Sequence, residues 1–344
     1  MIRVGSLGIV GVLLVVALGG CSDGHDTSRN LVEKIRGRGY LSCGSSQGVP
    51  GFSRPDEKGV WRGFDTDICR AFAAAVLGDA NKIRFLPLNS AQTLPAVQTG
   101  EIDVLSRTTT TSLMRDTAIR FVAVTQFDTE AIITRKALGA DRPDQLGGRT
   151  FCMQGGGSSV DSALTEIEGE TRLEFKRVYF DSTITAQGAF FSGRCDAYVT
   201  DGLAAASLVA TVARHPADYQ LIYLNRLLPQ AVWIARGDDH WFDVVRWTVN
   251  LLVWAEANGV TRSNVSQKMK SGPPEVRRVL GGDRAYGRVL GLSEHWALDV
   301  IKQVGNYGEI WDRNLGQKSP IKAERRLNVL YSQGGLLFPY PWNL

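Results

Sequence analysis

The turn from Gln154 to Ser159 is the clearest candidate for a binding site in the sequence. It reads QGGGSS and lies between a predicted strand, Thr150 to Met153, and a predicted helix, Ser159 to Ile167. Unsatisfied N–H groups and the helix dipole attract anions to such a helix start. The turn lacks the Gly-Lys-Ser/Thr of a phosphate loop and the GxGxxG of a dinucleotide site, so it indicates an anion site of another kind.

Asp201 stands at a second position that favours ligand binding. It follows the predicted strand Ala197 to Thr200, and ligands of open α/β sheets bind beyond the carboxyl ends of strands. An equally good interpretation is that Asp201 caps the helix Leu203 to Val212. Different lone pairs of one carboxylate allow both roles.

Residues for acid–base or nucleophilic catalysis are poorly placed. The four histidines, at positions 25, 215, 240 and 295, fall in linker or helix-flanking positions, and no Gly-x-Ser-x-Gly elbow occurs. Glu130 is the one carboxylate that an enzyme would use, and a solvated charge at a strand edge is the interpretation we favour for it. We expect no covalent chemistry and no cofactor.

Five cysteines bear on the compartment and the covalent framework. Residues Met1 to Gly20 carry Arg3 and a short, glycine-interrupted apolar stretch, which predicts a secretory signal segment. The stretch ends Leu18-Gly19-Gly20-Cys21, which resembles a bacterial lipobox and predicts lipidation of Cys21. A plain signal peptide that contains a cysteine is the alternative. A polar tether, residues 21–30, follows.

The remaining cysteines, at positions 43, 69, 152 and 195, form an even set in an exported protein, which favours disulfides. Three pairings are possible. If the chain forms two lobes, the pairing that keeps each bridge local joins Cys43 to Cys69 and Cys152 to Cys195. No CxxC or closely spaced His/Cys pair supports a zinc site, and no metal is expected.

Composition supports a globular protein of two lobes. The chain has 344 residues, 44% hydrophobic and 22% charged, and at this size a single core usually divides. The net charge is +4, from 39 basic and 35 acidic residues without a basic block. Nucleic acid is therefore not an expected partner.

Strands and helices alternate twice along the chain. Predicted strands at 40–43, 82–87 and 102–105 enclose helices that begin at Phe64 and Leu94, and the same order restarts at Thr150. Alternation of this kind predicts an α/β lobe with a mainly parallel sheet, and its repetition predicts two such lobes. The last part of the chain is read as helical, with an irregular end from about Ser319.

Several motifs resemble one known family. They are GFSRPDEKGVWRGFDTDICRA (51–71), GEIDVLSR (100–107), GRCD (193–196), GDDHW (237–241), VGNYGEI (304–310) and RNLG (313–316). In this order they resemble the periplasmic amino-acid-binding proteins of ABC importers, and they are most similar to the general L-amino-acid-binding branch of solute-binding protein family three. The likeness runs from about Leu31 to Gly335.

The resemblance implies an α/β, two-lobed type II periplasmic binding protein fold. Each lobe is a mixed, mainly parallel sheet flanked by helices, and two hinge crossovers join the lobes. The implied boundaries are 1–20 for the signal peptide, 21–30 for the lipidated tether, 31–129 and 232–318 for the first lobe, 130–231 for the second, and 319–344 for a C-terminal extension.

The resemblance also implies how a free amino acid is held. Arg115 matches the arginine that binds the ligand carboxylate, with Thr108 and Thr110 beside it. Gly157 and Ser158 match amide donors of the second lobe, and Asp201 matches the aspartate that binds the ammonium. These positions make up the implied clamp for the charged end of the ligand.

Departures from the family pattern fall at the rest of the site. Ser46 stands where Asn or Asp is usual, and Thr93-Leu94 replace an Arg-Phe pair. Gly156-Gly157-Ser158 replace Gly-Thr-Thr, so one hydroxyl is lost. Phe52 is the aromatic side chain that we expect against the aliphatic part of the ligand. These changes leave the ligand's side chain open.

The implied function is capture of a free amino acid, or a close analogue, and delivery to an ABC permease. The implied protein is a monomer in the periplasm, held to the membrane by its lipid. Two rival hypotheses are a periplasmic enzyme of the same fold, since some dehydratases share it, and a ligand-binding partner of a sensor.

Overall fold

The structure is a computed structural model that describes Met1 and residues 30–155, 159–282 and 286–342. The predicted signal segment and lipidation site Cys21 lie outside the described residues. So do the predicted ligand contacts Gly157 and Ser158. Within the described ranges, no helix is both long enough and apolar enough to cross a membrane.

The described strands form two five-stranded sheets and one short hairpin. The strands are β1 (Leu41–Ser45), β2 (Arg54–Pro55), β3 (Trp61–Arg62), β4 (Ile83–Pro87), β5 (Val104–Thr110), β6 (Arg120–Asp128), β7 (Glu130–Arg135), β8 (Thr150–Gln154), β9 (Lys176–Phe180), β10 (Ala197–Asp201), β11 (Tyr219–Tyr223) and β12 (Leu228–Ile234).

The two sheets share one arrangement. The first has the order β4-β1-β5-β12-β6 and the second β9-β8-β10-β7-β11. In each, the first three strands are parallel and the last two run antiparallel to their neighbours. The predicted fold of two α/β lobes is confirmed, and each sheet is mixed, with two parallel and two antiparallel pairings. We call the first sheet with its helices lobe 1 and the second lobe 2.

Helices flank both sheets. They are α1 (Leu31–Arg38), α2 (Phe64–Leu77), α3 (Ser90–Thr99), α4 (Leu113–Ala118), α5 (Ser159–Thr171), α6 (Thr183–Phe191), α7 (Gly202–Thr211), α8 (Asp239–Ala257), α9 (Val265–Ser271), α10 (Pro274–Val279), α11 (Trp296–Val304) and α12 (Tyr307–Asn314). Helix α3 begins four residues before the predicted Leu94, because Asn89 and Gln92 form a capping box at its start.

The start of α2 fixes one wall of lobe 1. Gly63 is the N-cap, with a φ of 134°, and a Cβ there would lie 2.1 Å from the Phe52 carbonyl oxygen. Only glycine fits such an approach. Asp65 lies inside the first turn, and its side chain accepts from the Ser106 hydroxyl. Phe52 itself is fully buried in the lobe 1 core with Phe64.

The chain passes between the lobes twice. It leaves lobe 1 at Asp128, where β6 ends, and enters lobe 2 at Glu130, where β7 begins. It returns between β11 and β12, so the predicted boundary at residue 231 falls inside β12, a strand of the first sheet. Hydrogen bonds from Gly202 N to Thr129 O and from Leu224 N to Glu130 O hold the junction together.

Each lobe carries one disulfide. Cys43 in β1 is bonded to Cys69 in α2, and Cys152 in β8 is bonded to Cys195, just before β10. This is the local pairing that two lobes predict. Each bridge ties a helix or its following turn to the central strands of its own sheet.

The C-terminal extension packs on lobe 1. The Asn328 amide accepts from Phe127 N at 2.7 Å and donates to Phe127 O at 2.8 Å, which completes the outer edge of β6. Arg325 makes a paired contact with Glu256 in α8. Trp342 lies among four aromatic rings, those of Trp247, Trp254, Tyr286 and Trp296.

Candidate functional site

A cavity of about 170 Å³ lies between the two lobes. Its walls come from β5, α3, α4 and the 46–49 turn of lobe 1, and from β8, β10 and the starts of α5, α6 and α7 in lobe 2. The described lining residues are Ser46, Val49, Ser90, Thr93, Leu94, Arg107, Thr108, Thr109, Thr110, Arg115, Gln154, Val160, Thr183, Tyr198, Val199, Thr200, Asp201 and Ala204.

The lobes touch at the edge of this cleft. The Ser207 hydroxyl in α7 donates to the Pro50 carbonyl oxygen at 2.6 Å, and Ser207 is fully buried. The methyl end of Ile184 in α6 also lies next to Gly48. The arrangement is therefore one in which lobe 2 rests against the 46–53 segment of lobe 1.

Arg115 lines the cavity from lobe 1. Its helix, α4, begins after Ser112, whose side chain accepts from Arg115 N. The Arg115 guanidinium donates to the Thr110 carbonyl oxygen at 2.7 Å, which fixes its direction. Burial lowers the pKa of Arg115, and the negative charge of Asp201 opposes that shift.

Asp201 lines the cavity from lobe 2. It occupies the N-cap position of α7, but its side chain makes no cap bond. Asp128 caps the start of α7 instead, because both of its carboxylate oxygens accept from Leu203 N, at 3.0 and 3.3 Å. Of the two interpretations of Asp201, side-chain capping is therefore wrong, and the carboxylate remains directed at the cavity.

The surroundings of Asp201 set its charge. Burial raises the pKa of Asp201 to about 6, while the Thr108 hydroxyl, the Gln230 amide and the guanidinium groups of Arg107 and Arg115 act in the opposite direction. At neutral pH the carboxylate is mostly ionised. In the cavity, the carboxylate of Asp201 on lobe 2 therefore lies opposite the guanidinium groups of Arg107 and Arg115 on lobe 1.

Thr108 holds an unusual backbone conformation at this place. Its φ is 53°, in the left-handed region that β-branched residues avoid. Strain of this kind costs about 1–3 kcal/mol and concentrates at ligand-binding positions. In this conformation the Thr108 hydroxyl lies next to Asp201. Its hydrogen bond to the carboxylate lowers the pKa of Asp201.

Sequence reasoning assigned no ligand contact to Arg107, Gln154 or Gln230, although Gln154 opens the turn that it singled out. Arg107 lines the cavity and donates to the Thr93 hydroxyl at 3.2 Å. Gln154 ends β8 and accepts from the Thr183 hydroxyl at 2.8 Å. Arg107 stands directly before Thr108 in the segment that the sequence selected, so its position was a usable signal. Gln230 sits in β12, and no local pattern points to it.

Two buried carboxylates, Asp65 and Glu130, lie close enough to Asp201 to affect each other's pKa. Asp65 accepts from the Ser106 hydroxyl at 3.1 Å, and burial raises its pKa to about 7. Glu130 was predicted to be a solvated strand-edge charge, which is wrong because it is fully buried. Burial raises the pKa of Glu130 to about 7, and its nearest cation, Arg226, is 4.0 Å away. Neither residue lines the cavity.

The predicted ligand residues divide into two groups. Ser46, Thr108, Thr110, Arg115 and Asp201 are brought together in the cavity, and Gly157 and Ser158 lie outside the described residues. Phe52 is a correction: it belongs to the apolar core of lobe 1 and does not line the cavity. Its carbonyl oxygen accepts from Asp65 N at the start of α2.

Metal binding has no support in the described part of the chain. Among those residues no group of three or more His, Cys, Asp or Glu side chains converges. The described lining of the cavity contains one carboxylate, Asp201, and neither histidine nor cysteine.

The chain is similar to a known family over most of its length. Residues 41–252 match the bacterial extracellular solute-binding proteins, family 3. The chain is 39% identical over 321 residues to the general L-amino acid-binding periplasmic protein of Rhizobium johnstonii. This alignment covers 91% of this chain and 93% of that protein. It is 36% identical over 321 residues to the glutamate/glutamine/aspartate/asparagine-binding protein of Rhodobacter capsulatus, covering 92% and 94%.

A solved structure agrees with these relatives. An ABC transporter periplasmic binding protein from Brucella ovis, with glutathione bound, has a TM-score of 0.86 and 37% identity to this chain. The match covers 90% of this chain and 98% of that one. A match of this extent includes residues of both lobes.

Proposed function

We propose that this chain, which belongs to the bacterial extracellular solute-binding proteins of family 3, captures a free amino acid or a close analogue between its lobes and delivers it to an ABC import permease. The observation that carries the proposal is the placement of opposite charges on the two walls of one cavity. Arg115 belongs to lobe 1 and Asp201 to lobe 2.

A zwitterion suits this arrangement. A guanidinium makes paired, charge-assisted hydrogen bonds with a carboxylate, and Asp201 offers the ammonium a buried negative charge. The names of the relatives, an amino-acid-binding protein and a glutathione complex among them, support a ligand with an α-amino-acid group. We assign Thr108, Thr110 and Ser46 to the same site as polar neighbours of the clamp.

Capture follows from the division of the clamp. Because each lobe supplies one of the two charges, the ligand gains its full set of contacts only when the lobes are together. Binding therefore shifts the population toward the closed arrangement by this difference in contacts. The closed form presents a new surface that a permease can recognise.

We assign the protein to the periplasm, as a monomer held to the membrane through lipid on Cys21. Relatives named as periplasmic proteins support the compartment. Globomycin treatment of the expressing cell tests the anchor, because it blocks processing of lipoprotein precursors. Accumulation of an unprocessed form is the expected result, and normal release of a soluble form contradicts the anchor.

We propose binding without chemistry, since the described cavity lining offers one carboxylate and no histidine to act as its partner base. Isothermal titration calorimetry of the tether-free protein with the proteinogenic amino acids and glutathione tests the function. Saturable binding of at least one amino acid, with the ligand recovered unchanged, supports it. The absence of binding by every one of these ligands contradicts it.

A further inference from the structure

We propose that Arg107 and Gln154 form a second polar subsite in the cavity, which selects a ligand whose side chain ends in a carboxylate or carboxamide oxygen. The inference rests on the proposed function and adds the chemical class of the ligand. The two residues reach the cavity from opposite lobes, Arg107 at β5 and Gln154 at the end of β8.

Arg107 has donor capacity that the described protein does not use. One terminal nitrogen donates to the Thr93 hydroxyl at 3.2 Å, but Nε is buried and has no hydrogen-bond partner among the described residues. Most buried polar atoms in native proteins are hydrogen bonded, so an exception calls for an absent partner. A guanidinium carries donors only, and that partner must be an acceptor.

Gln154 presents the same chemistry from the other wall. In the structure its Oε1 accepts from the Thr183 hydroxyl at 2.8 Å. Its Nε2 is then directed away from that bond, and it is buried without a partner in the described ranges. Two donors that lack acceptors, one on each lobe, therefore face one small cavity.

The α-amino-acid group does not account for these donors. Its carboxylate is assigned to Arg115 and its ammonium to Asp201, so Arg107 and Gln154 are left for a third group. A terminal carboxylate or carboxamide supplies acceptor oxygens to both. An aliphatic side chain leaves both donors desolvated and unpaired, which is unfavourable, and a lysine side chain adds a cation near the Arg107 guanidinium.

Thr93 orients the Arg107 guanidinium. Its hydroxyl accepts from a terminal nitrogen of Arg107 at 3.2 Å. We assign Arg107 and Gln154 as specificity-determining residues and Thr93 as a positioning residue.

Calorimetry with four matched ligands tests the subsite. L-Glutamate and L-glutamine carry the acceptor, L-norvaline lacks it, and L-lysine carries a cation in its place. We expect both acceptor ligands to bind at least about tenfold more tightly than norvaline or lysine, which corresponds to about 1.4 kcal/mol. Glutamate and glutamine as separate arms decide between carboxylate and carboxamide.

Variants of Arg107 and Gln154 test whether these two residues cause the preference for an acceptor side chain. In Arg107→Met and in Gln154→Leu we expect the glutamate-to-norvaline affinity ratio to fall by at least about tenfold, and Arg107→Lys recovers part of it for glutamate. Arg54→Met changes an exposed arginine of lobe 1 and is the matched control. Thermal unfolding shows whether each variant is folded. If Arg107→Met does not fold, the Gln154→Leu variant and the wild-type ligand series still test the subsite.

The two proposals fail in different ways. Equal affinities of the wild-type protein for all four ligands, or an unchanged ratio in Gln154→Leu, contradict the subsite and leave amino-acid capture standing. The absence of binding by every amino acid contradicts amino-acid capture itself and, with it, the subsite.

Discussion

The cavity and the interface of the C-terminal extension both bury polar side chains beside the hinge, but they differ in how those groups are satisfied. At the extension, both amide atoms of Asn328 bond to Phe127, and both carboxylate oxygens of Glu256 accept from Arg325. In the cavity, Arg107 Nε, Thr109 Oγ1 and Gln154 Nε2 have no partner among the described residues.

The difference separates a structural interface from a binding site. Buried polar groups cost free energy unless they are paired. The Asn328 and Arg325 contacts of the extension are paired within the protein, and Trp342 Nε1 is an exception there. The cavity holds donors that have no partner among the described residues, and we propose that a ligand supplies the missing acceptors.

The largest expected effect comes from breaking the charge clamp. Asp201→Asn and Arg115→Met each leave one charged group of the ligand desolvated and unpaired, which costs about 3–5 kcal/mol, or roughly several hundredfold or more in Kd. Calorimetry measures the loss, with Asp218→Asn and Arg54→Met as exposed controls. An affinity within a few-fold of wild type in either cavity variant contradicts the assignment of that residue.

A smaller effect, on stability, is expected at the extension. Asn328→Ala removes two hydrogen bonds and leaves the buried Phe127 amide and carbonyl groups unpaired, so we expect a loss of about 2 kcal/mol in the free energy of unfolding. The Kd should change by less than about threefold, because no described residue of the extension lines the cavity.

Denaturant unfolding and calorimetry measure the two quantities. Asn225→Ala, at an exposed position, is the matched control and should stay within about 0.5 kcal/mol of wild type. If Asn328→Ala lost affinity but kept its stability, the extension would behave as the cavity is expected to, and the distinction between the two regions would be lost.

The pH dependence sharpens the comparison further, because affinity and stability should move in opposite directions. Burial raises the pKa of Asp201 to about 6, so protonation removes the charge that holds the ammonium as pH falls. We expect a loss of about tenfold in affinity between about pH 7 and about pH 5, for a ligand with an untitratable side chain.

The ligand-free protein should instead gain stability as pH falls. Burial raises the pKa of Asp128 to about 8 and the pKa of Asp65 and of Glu130 to about 7. A raised carboxyl pKa means that the folded state binds the proton more tightly than the unfolded state. Its stabilisation is full below the ordinary pKa and is lost as pH rises through about 7 to 8.

Thermal unfolding at about pH 9 and about pH 6 checks this sign. Asp128→Asn keeps an acceptor for Leu203 and should flatten the profile by making the protein more stable at the higher pH. A midpoint that falls on going to about pH 6, or an affinity that stays constant down to about pH 5, contradicts the electrostatic account of the cavity.

The smallest effect is expected from relieving backbone strain at Thr108. Thr108→Gly should stabilise the ligand-free protein by up to about 1 kcal/mol, because glycine tolerates a positive φ. It should weaken binding several-fold through loss of the hydroxyl beside Asp201. Arg172, with a φ of 57°, lies outside the cavity, and Arg172→Gly should give the stabilisation without the change in Kd.

The sequence predicted the two lobes because each repeats the same order of strands and helices, and it predicted the disulfides because a local pairing suits two lobes. It predicted Asp201 in the cavity from its place at the end of a strand, and it placed Arg115 there only through the resemblance of the surrounding segment to a known family. It failed at Phe52, since an aromatic residue after a turn packs equally well into a core. It also failed at Glu130. This residue is buried by a strand that pairs with β7 and by a crossover between the lobes, and both are distant from it in sequence.

Gln230 and Asp128 show what local patterns lack. Gln230 reaches the Asp201 neighbourhood only because β12 returns to the first sheet beside β5. Asp128 frees Asp201 from capping only because the first crossover lies against the start of α7. Both relations join distant segments, so they follow from topology and not from spacing along the chain.

A crystal structure of the protein with its bound amino acid tests the central claim most directly. The account predicts the ligand carboxylate within hydrogen-bonding distance of the Arg115 guanidinium and the ligand ammonium on the Asp201 carboxylate. A ligand that occupies the cavity without contacting both groups, or that binds elsewhere on the protein, would contradict it.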